Sequence, residues 1–103
     1  MTYGELELQA AIDFIAEQGG TFAADDGQIH PENAIFQLGA YEPEGVLVGA
    51  VVIERLGQDK AELAAIASSE PNVTGPLIGA AQGEAADRGL TLSIAKWQAK
   101  LAG

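Results

Sequence analysis

The hydrophobic positions near the N-terminus recur with the period of an α-helix. The residues at positions i, i+3, i+4 and i+7 of this apolar stripe are Leu8, Ala11, Ile12 and Ile15. The stripe predicts an amphipathic helix over residues 5–18, and the glycines at positions 19 and 20 predict its end. Residues 1–4 show no pattern that indicates an element, and residues 21–33 indicate a polar connection.

Three apolar segments separated by turn residues follow this connection. Ala34–Tyr41 alternates enough to be a strand, and a turn at Glu42–Gly45 follows it. Val46–Leu56 is apolar on both faces over most of its length, as a central strand is, and its Gly49 indicates a bulge or a close backbone approach. After a second turn, Ala61–Ala67 completes a predicted three-stranded antiparallel meander.

The remaining pattern predicts a strand, a loop, a helix and a further strand. The loop, Val73–Leu77, contains glycine and proline and opens an alanine-rich helix that ends at Arg88–Gly89. Leu90–Ile94 is a second short apolar run, and strands connected through a helix are usually parallel. The predicted fold class is therefore α/β (α+β): an N-terminal helix, a meander, and then strand–loop–helix–strand in one mixed sheet.

The start of the second helix offers a site for an anion. The first turn of a helix has backbone N–H groups without partners at the positive end of the helix dipole, and glycine allows close approach of a ligand. No charged residue occurs from Pro71 to Gly83. The sequence therefore predicts that backbone groups can hold a phosphate or carboxylate here.

This part of the chain resembles the acyl-CoA-binding core of the GNAT superfamily of N-acyltransferases. The residues that fit the family pattern are Glu62, Leu63, Ile66, Gly75, Ile78 and Gly79. Thr74 stands where the family has arginine, and Leu77 stands where it has its middle glycine. The order of elements, a meander followed by strand–loop–helix–strand, is similar to that of the family as well.

The resemblance implies acetyl-CoA as the cofactor. In the family, the strand separates from its neighbour and pairs with the pantetheine arm, while the loop amides hold the pyrophosphate. The cofactor-binding residues implied in this way are Ile66, Ala67, Ser68, Asn72, Thr74, Gly75, Pro76, Leu77, Ile78 and Gly79. A V-shaped gap is expected between the strand at Ala61–Ala67 and the strand at Leu90–Ile94.

Acyl transfer to an amine needs a base for the ammonium proton and a donor for the developing oxyanion. Glu54 and Glu62 lie on neighbouring predicted strands, and either is a candidate base, directly or through water. The alternative is that both are ordinary solvent-facing carboxylates. A backbone amide near Ala67 or Ser68 is the candidate oxyanion donor. The family's first strand is not evident, and no tyrosine follows Tyr41 to act as the acid that protonates the departing thiolate.

The polar connection contains one histidine among several acids, at Asp25, Asp26, His30 and Glu32. These residues lack the regular spacing of metal ligands, so solvated surface is expected and no metal site is predicted. In acyltransferases of this kind, the region before the first hairpin helps to shape the acceptor site. The resemblance therefore makes His30 and its neighbouring acids candidates for acceptor contacts.

Composition narrows the possible partners. The 103 residues, 48% of them hydrophobic, suit one domain over positions 1–103, and there is no cysteine. No apolar run has the length of a membrane span and no N-terminal signal is evident, so a cytoplasmic protein without a membrane partner is expected. After Ile94, Trp97 and Leu101 share a possible helical face, which suits the core or a homodimer contact.

The net charge of −10 is unevenly distributed. Residues 1–54 contain ten acids and neither lysine nor arginine, whereas residues 55–103 contain five acids and five bases. Such a field repels nucleic acid and favours a cationic partner, such as a small-molecule or protein amine, although solubility alone also explains it.

Three functions remain open from the sequence. The first is a small acyl-CoA-dependent N-acetyltransferase that acts on an amine. The second is a catalytically idle GNAT-like module that binds acyl-CoA or a partner protein. The third is an unrelated acidic interaction protein that occupies a basic cleft, and it would present its carboxylates as a spaced array on one face.

Overall fold

The computed structural model describes residues 2–22 and 30–93, and it shows a mixed α+β fold as predicted. In this part of the chain, six strands form one sheet, with one helix packed against each face. The strands are β1 (Thr2–Glu5), β2 (Thr21–Phe22), β3 (Ala34–Tyr41), β4 (Leu47–Arg55), β5 (Lys60–Ser68) and β6 (Thr91–Ser93). The helices are α1 (Leu8–Gln18) and α2 (Thr74–Asp87). The predictions for Asp25, Asp26, Ile94, Trp97 and Leu101 concern positions outside the described residues.

The predicted meander is confirmed. β3 pairs with β4 and β4 pairs with β5, both antiparallel, and β6 then joins β5 in the parallel direction after α2. The strand order is β1-β3-β4-β5-β2, with β6 also beside β5. Neither described helix is long and apolar enough to cross a membrane.

The expectation that no N-terminal strand precedes the first helix was wrong. β1 pairs antiparallel with β3, from Thr2 opposite Tyr41 to Glu5 opposite Leu38. The strand has four residues, three of them exposed, so it carries no alternation that a sequence pattern could detect. Its pairing with β3 depends on residues far along the chain.

Arg88, at the end of α2, connects β1 to α2 and β3. Its Nη2 donates to Oε1 of Glu5 at 2.7 Å, and its Nε donates to Oε2 of Glu84 at 3.0 Å. The guanidinium also lies 4.7 Å from the centre of the Phe36 ring, within the range of a cation–π contact. One side chain at the end of α2 therefore contacts both β1 and β3.

Both helices begin at residues other than those predicted. α1 begins at Leu8 instead of Glu5 and ends as predicted, with Gly19 in the left-handed region at φ 64°. α2 begins at Thr74, so most of the predicted loop Val73–Leu77 is helical. Proline in the first helical turn removes only an N–H that has no intrahelical partner, so Pro76 does not prevent this earlier start.

The core has two clusters because β4 and β5 are buried on both faces. On the α2 face the buried side chains include Val51, Ile53, Leu63, Ile66, Val73 and Leu77. On the α1 face they include Phe14, Ile15, Ala50, Val52, Ala64, Ala65 and Ala67. The residues facing α1 on the two strands are thus mostly small, whereas α2 packs on larger aliphatic side chains.

Gly49 has the close backbone approach that the sequence predicted. A Cβ atom at this position would lie 2.8 Å from Cγ1 of Val73 and 3.1 Å from Cδ2 of Leu77. The ladder between β3 and β4 is also irregular here, with a register shift between Ala40 and Tyr41. Glycine in the central strand therefore lets the first turn of α2 lie directly on the sheet.

We expect Gly49→Ala to lower the free energy of unfolding by about 1–3 kcal/mol, because the added methyl group overpacks the contact with α2. Urea denaturation measures this change. Gly83→Ala is the control: a Cβ there meets no atom within 4 Å, so alanine in this helix should instead stabilise by about 0.5–1 kcal/mol. An unchanged stability of Gly49→Ala would contradict the packing described here.

Candidate functional site

The end of β5 leads directly into the start of α2 and carries two hydroxyl groups. Oγ of Ser68 and Oγ1 of Thr74 lie 3.0 Å apart and share a hydrogen bond. A short 3-10 turn, Pro71–Val73, connects the two elements, and Val73 at the N-cap position gives no side-chain cap. The hydroxyl pair and the uncapped helix start are therefore adjacent.

The backbone at this helix start is suited to an anion. The first amides of a helix have no intrahelical partner, and Pro76 has no N–H, so the backbone donors of this turn are those of Thr74 and Gly75. No acidic residue lies in the first turn. The positive end of the helix dipole and the two neighbouring hydroxyl groups therefore favour a phosphate here.

The residues that the sequence assigned to a cofactor divide into two groups. The side chains of Ile66, Ala67 and Leu77 are buried, so these residues can offer a ligand only backbone atoms. Gly75 and Gly79 lie on the exposed face of α2, and a Cβ at either position would meet no atom within 4 Å. The remaining members are exposed at Asn72 and Pro76 and half-buried at Ser68, Thr74 and Ile78.

Two different strands share the outer edge of β5. β6 pairs with its first three residues, Lys60 to Glu62, and β2 pairs antiparallel with Ala65 and Ile66. The described part of β6 thus accompanies only the start of β5, and β2 lies beside the half where the V-shaped gap was expected. β2 was not predicted, because two residues are too few for a periodic signal.

A β-bulge in β5 lies between these two pairings. Ile53 of β4 faces Leu63 and Val52 faces Ala65, so Ala64 is the extra residue. Ala64 and Ala65 accordingly both contribute to the core cluster on the α1 face. A bulge bends its strand and increases the local twist. The direction of β5 therefore changes between Leu63 and Ala65.

The two candidate bases face each other at the other end of β5. Glu54 and Glu62 are register partners across β4 and β5. Among the described residues Glu54 is the one buried charged side chain, with 5% exposure, and its Oε2 accepts a hydrogen bond from the backbone N–H of His30 at 2.8 Å. The alternative of two solvent-facing carboxylates therefore does not hold for Glu54, while Glu62 is half-buried.

A cleft of about 520 Å³ lies at the end of β4, where Arg55 follows Glu54 in the chain. Its lining residues are Glu32, Asn33, Ala34, Ile35, Arg55, Leu56 and Gly57. Nη1 of Arg55 donates to the carbonyl oxygens of Gly57 and Gln58, at 3.2 and 2.9 Å, which fixes this wall. The polar connection before β3 thus lines a cavity, and Glu32 contributes its carboxylate there.

These two candidate regions lie at opposite ends of β5. Ser68 lies six positions after Glu62, a span of about 20 Å in an extended strand. A ligand bound at the start of α2 can therefore reach the two carboxylates only with an extended arm that follows β5.

Acidic side chains also approach the start of α2 from the turn between β3 and β4. The pKa of Glu42 is raised from its ordinary value, first because its side chain is hydrogen-bonded to Glu70, and further because the charges of Glu70 and Glu44 repel its own. Glu70 immediately precedes the turn that opens α2. The uncharged segment from Pro71 to Gly83 therefore begins next to a group of carboxylates, Glu42, Glu44 and Glu70, that are far apart in the sequence.

Comparison with known proteins supports the fold. No protein-family model matches the chain, and no curated protein matches its sequence. Among solved structures, the chain is similar to a protein from Klebsiella pneumoniae subsp. pneumoniae MGH 78578 that is assigned as an acyl-CoA N-acyltransferase. The TM-score is 0.57 at 18% sequence identity, over 84% of this chain and 64% of the other. The chain thus has a GNAT-like fold and spans just under two thirds of the length of that protein.

We expect Glu42→Gln to stabilise the protein at pH 7 relative to the unchanged chain and to lose this advantage near pH 4. Because the folded pKa is raised, folding is favoured while Glu42 is protonated, and that contribution disappears as the pH rises through the raised value. Urea midpoints at the two pH values measure the effect. Glu17→Gln, at an exposed position on α1, controls for the change in net charge, and an equal effect of both variants would contradict the coupling of Glu42 to Glu70.

Proposed function

We propose that this protein is a small acyl-CoA-dependent N-acetyltransferase that acts in the cytoplasm on the amine of a cationic acceptor. One observation carries the proposal: a single strand, β5, joins an uncapped helix start bearing two hydroxyl groups to a pair of carboxylates. The GNAT-like fold agrees with acyl-CoA as the donor. The net charge of −10 supports a positively charged acceptor.

The residues at the start of α2 fit the pyrophosphate of CoA. Amides of Thr74 and Gly75 and the hydroxyls of Ser68 and Thr74 supply neutral donors, and the open face at Gly75 and Gly79 leaves room for the ligand. The arginine of the family pattern is replaced by Thr74, so the backbone and hydroxyl groups carry the binding here. The carboxylates of Glu42 and Glu70 oppose it electrostatically.

When bound, acetyl-CoA supplies an acetyl group activated as a thioester. Glu54 is the stronger candidate for the base, because it is buried and held by the His30 amide, while Glu62 lies directly opposite it. The carboxylate accepts the proton of the acceptor ammonium, so that the free amine forms the new N–C bond as the C–S bond breaks. Water carries the second proton of the reacting nitrogen to the departing thiolate.

The cleft beside Glu54 is the proposed entry for the acceptor. It lies at the carboxylate end of β5, and Glu32 presents a further negative charge within it. The lining also includes Arg55, whose guanidinium donates to the carbonyl oxygens of Gly57 and Gln58. The preference for a cationic amine therefore rests on the net charge of −10 and on Glu32, not on a cleft lined by carboxylates alone.

The second candidate is a catalytically idle GNAT-like module that binds acyl-CoA or a partner protein. The pairing of β2 with β5 favours it, because this pairing covers part of the edge that an extended cofactor would use. Cofactor binding without acetyl transfer to any polyamine, amino acid or lysine peptide would favour this candidate over the enzyme.

We expect acetyl-CoA to bind with a dissociation constant in the micromolar range in calorimetric titration at moderate salt. Gly75→Val should abolish binding, because a branched side chain fills the approach to the helix start, yet no atom within 4 Å opposes it in the fold. Gly83→Val is the matched control on the exposed part of the same helix and should bind normally. Equal affinity of the Gly75→Val variant would remove the helix start from the site.

We expect Glu54→Gln to lower kcat by about 10²–10⁴-fold, the usual contribution of a positioned general base. The glutamine oxygen still accepts the His30 N–H, so the fold and the affinity for acetyl-CoA should be retained. A thiol-release assay with an amine acceptor measures the rate, and Glu62→Gln tests the opposite carboxylate in the same assay. Glu17→Gln controls for charge, and unchanged kcat in both test variants would refute a carboxylate base.

A further inference from the structure

The edge of β5 that an acyl-CoA arm would follow is already paired within the chain. The backbone of β2 is in register with that of β5, with Thr21 opposite Ile66 and Phe22 opposite Ala65. Each backbone N–H is a single donor. A β5 N–H that is bonded to β2 therefore cannot also donate to a carbonyl oxygen of a ligand. β2 and an extended ligand therefore compete for the same edge.

The end of α1 directs β2 onto this edge. Gly19 takes the left-handed conformation, and the N–H of Gly20 donates to the carbonyl oxygen of Ile15 at 2.9 Å. The chain then lies so close to β5 that a Cβ at Gly20 would be 2.8 Å from both the carbonyl oxygen of Ile66 and Cβ of Ala67. Only glycine allows this approach, so the sequence at the helix end specifies the contact.

The position of β2 along β5 decides what it covers. The described residues of β6 pair with residues 60–62, and β2 lies beside the half of β5 between the bulge and Ser68. An arm that runs from the start of α2 toward Glu62 must pass Ala65 and Ile66. These are the two residues that β2 pairs with.

We propose that β2 is an internal competitor of the acyl-CoA arm and that cofactor binding requires β2 to leave β5. This inference rests on the proposed function. β2 pairs with β5 through only two residues. Binding of the ligand would therefore break only these few backbone hydrogen bonds and replace them with hydrogen bonds to the ligand. The apparent affinity for acetyl-CoA is then the intrinsic affinity reduced by the fraction of molecules whose edge is free. The segment after α1 thereby regulates the cofactor site.

A reversible disulfide tests this competition. Register partners on antiparallel strands have Cα atoms about 4.5–5.5 Å apart, within the range that a disulfide spans. Thr21→Cys combined with Ile66→Cys places one thiol on each strand, and the chain has no cysteine of its own to interfere. Acetyl-CoA is titrated into the oxidised protein and again after reduction with dithiothreitol.

The oxidised double variant should bind acetyl-CoA at least about tenfold more weakly than the reduced one. The disulfide holds β2 on β5, so no molecules with a free β5 edge remain to bind the ligand. Both single-cysteine variants should respond to neither oxidant nor reductant. Equal affinity in the oxidised and reduced states, with the disulfide verified by mass, would overturn the competition and leave the proposed cofactor site intact.

Release of β2 provides the complementary test. A Cβ at Gly20 would lie 2.7 Å from Cγ2 of Ile15 and 2.8 Å from the β5 atoms, so Gly20→Ala should push this segment away from β5. We expect it to tighten binding of acetyl-CoA severalfold relative to the unchanged protein. Gly19→Ala is the matched control: it strains the adjacent position at φ 64°, where a Cβ contacts no atom of β5, and should leave the affinity unchanged. Binding by Gly20→Ala alone would also support the competition. Absence of binding by both the unchanged protein and Gly20→Ala would overturn the proposed function and this inference together.

Discussion

The two central strands are buried on both faces, and the rest of the structure is arranged to achieve that burial. β4 presents Val51 and Ile53 to α2 and Ala50 and Val52 to α1, and all four side chains are fully buried. A chain of 103 residues has enough apolar surface for only a modest core, so both helices are needed to cover one hairpin. The cluster under α2 extends along β5 from Ile66 to Ala61, whereas the cluster under α1 includes only Ala64, Ala65 and Ala67 of that strand.

The candidate base, Glu54, lies where the apolar residues on the α1 face of β4 end. At the last residues of β4 the side chain facing α1 is no longer apolar but is Glu54, which remains 5% exposed. A buried carboxylate is costly unless it is hydrogen-bonded, and the backbone amide of His30 provides that bond at 2.8 Å. This hydrogen bond holds the segment before β3 against the end of β4. Glu32 and Asn33, which follow His30, line the cleft there.

The elements that could be predicted from the sequence are those with a local signal. The period of α1, the meander and the parallel return through α2 each follow from periodicity, turn residues and connection type. The start of α2 was predicted late because Gly75 and Pro76 indicate a loop, whereas burial of Val73 and Leu77 against the sheet makes the segment helical. Tertiary packing here outweighed local propensity.

The features that could not be predicted depend on residues far apart in the sequence. β1 and β2 are too short for a pattern, and each owes its place to a partner strand. Within the candidate site, residues 66–79 were predicted by resemblance and the pair Glu54 and Glu62 by strand adjacency, and their roles stay predictions. The contact of Glu42 with Glu70 and that of Glu54 with His30 appear only when the turns and connections have folded.

The position of Arg88 has a consequence for the order of folding. The hairpins of β3, β4 and β5 close short loops, whereas the contact between Arg88 and Glu5 joins residues 83 positions apart. Loop-closure entropy rises with separation, and local contacts form before distant ones. We therefore expect the meander to form first, and the Arg88–Glu5 contact that holds β1 to α2 to form last, although Glu5 is near the start of the sequence.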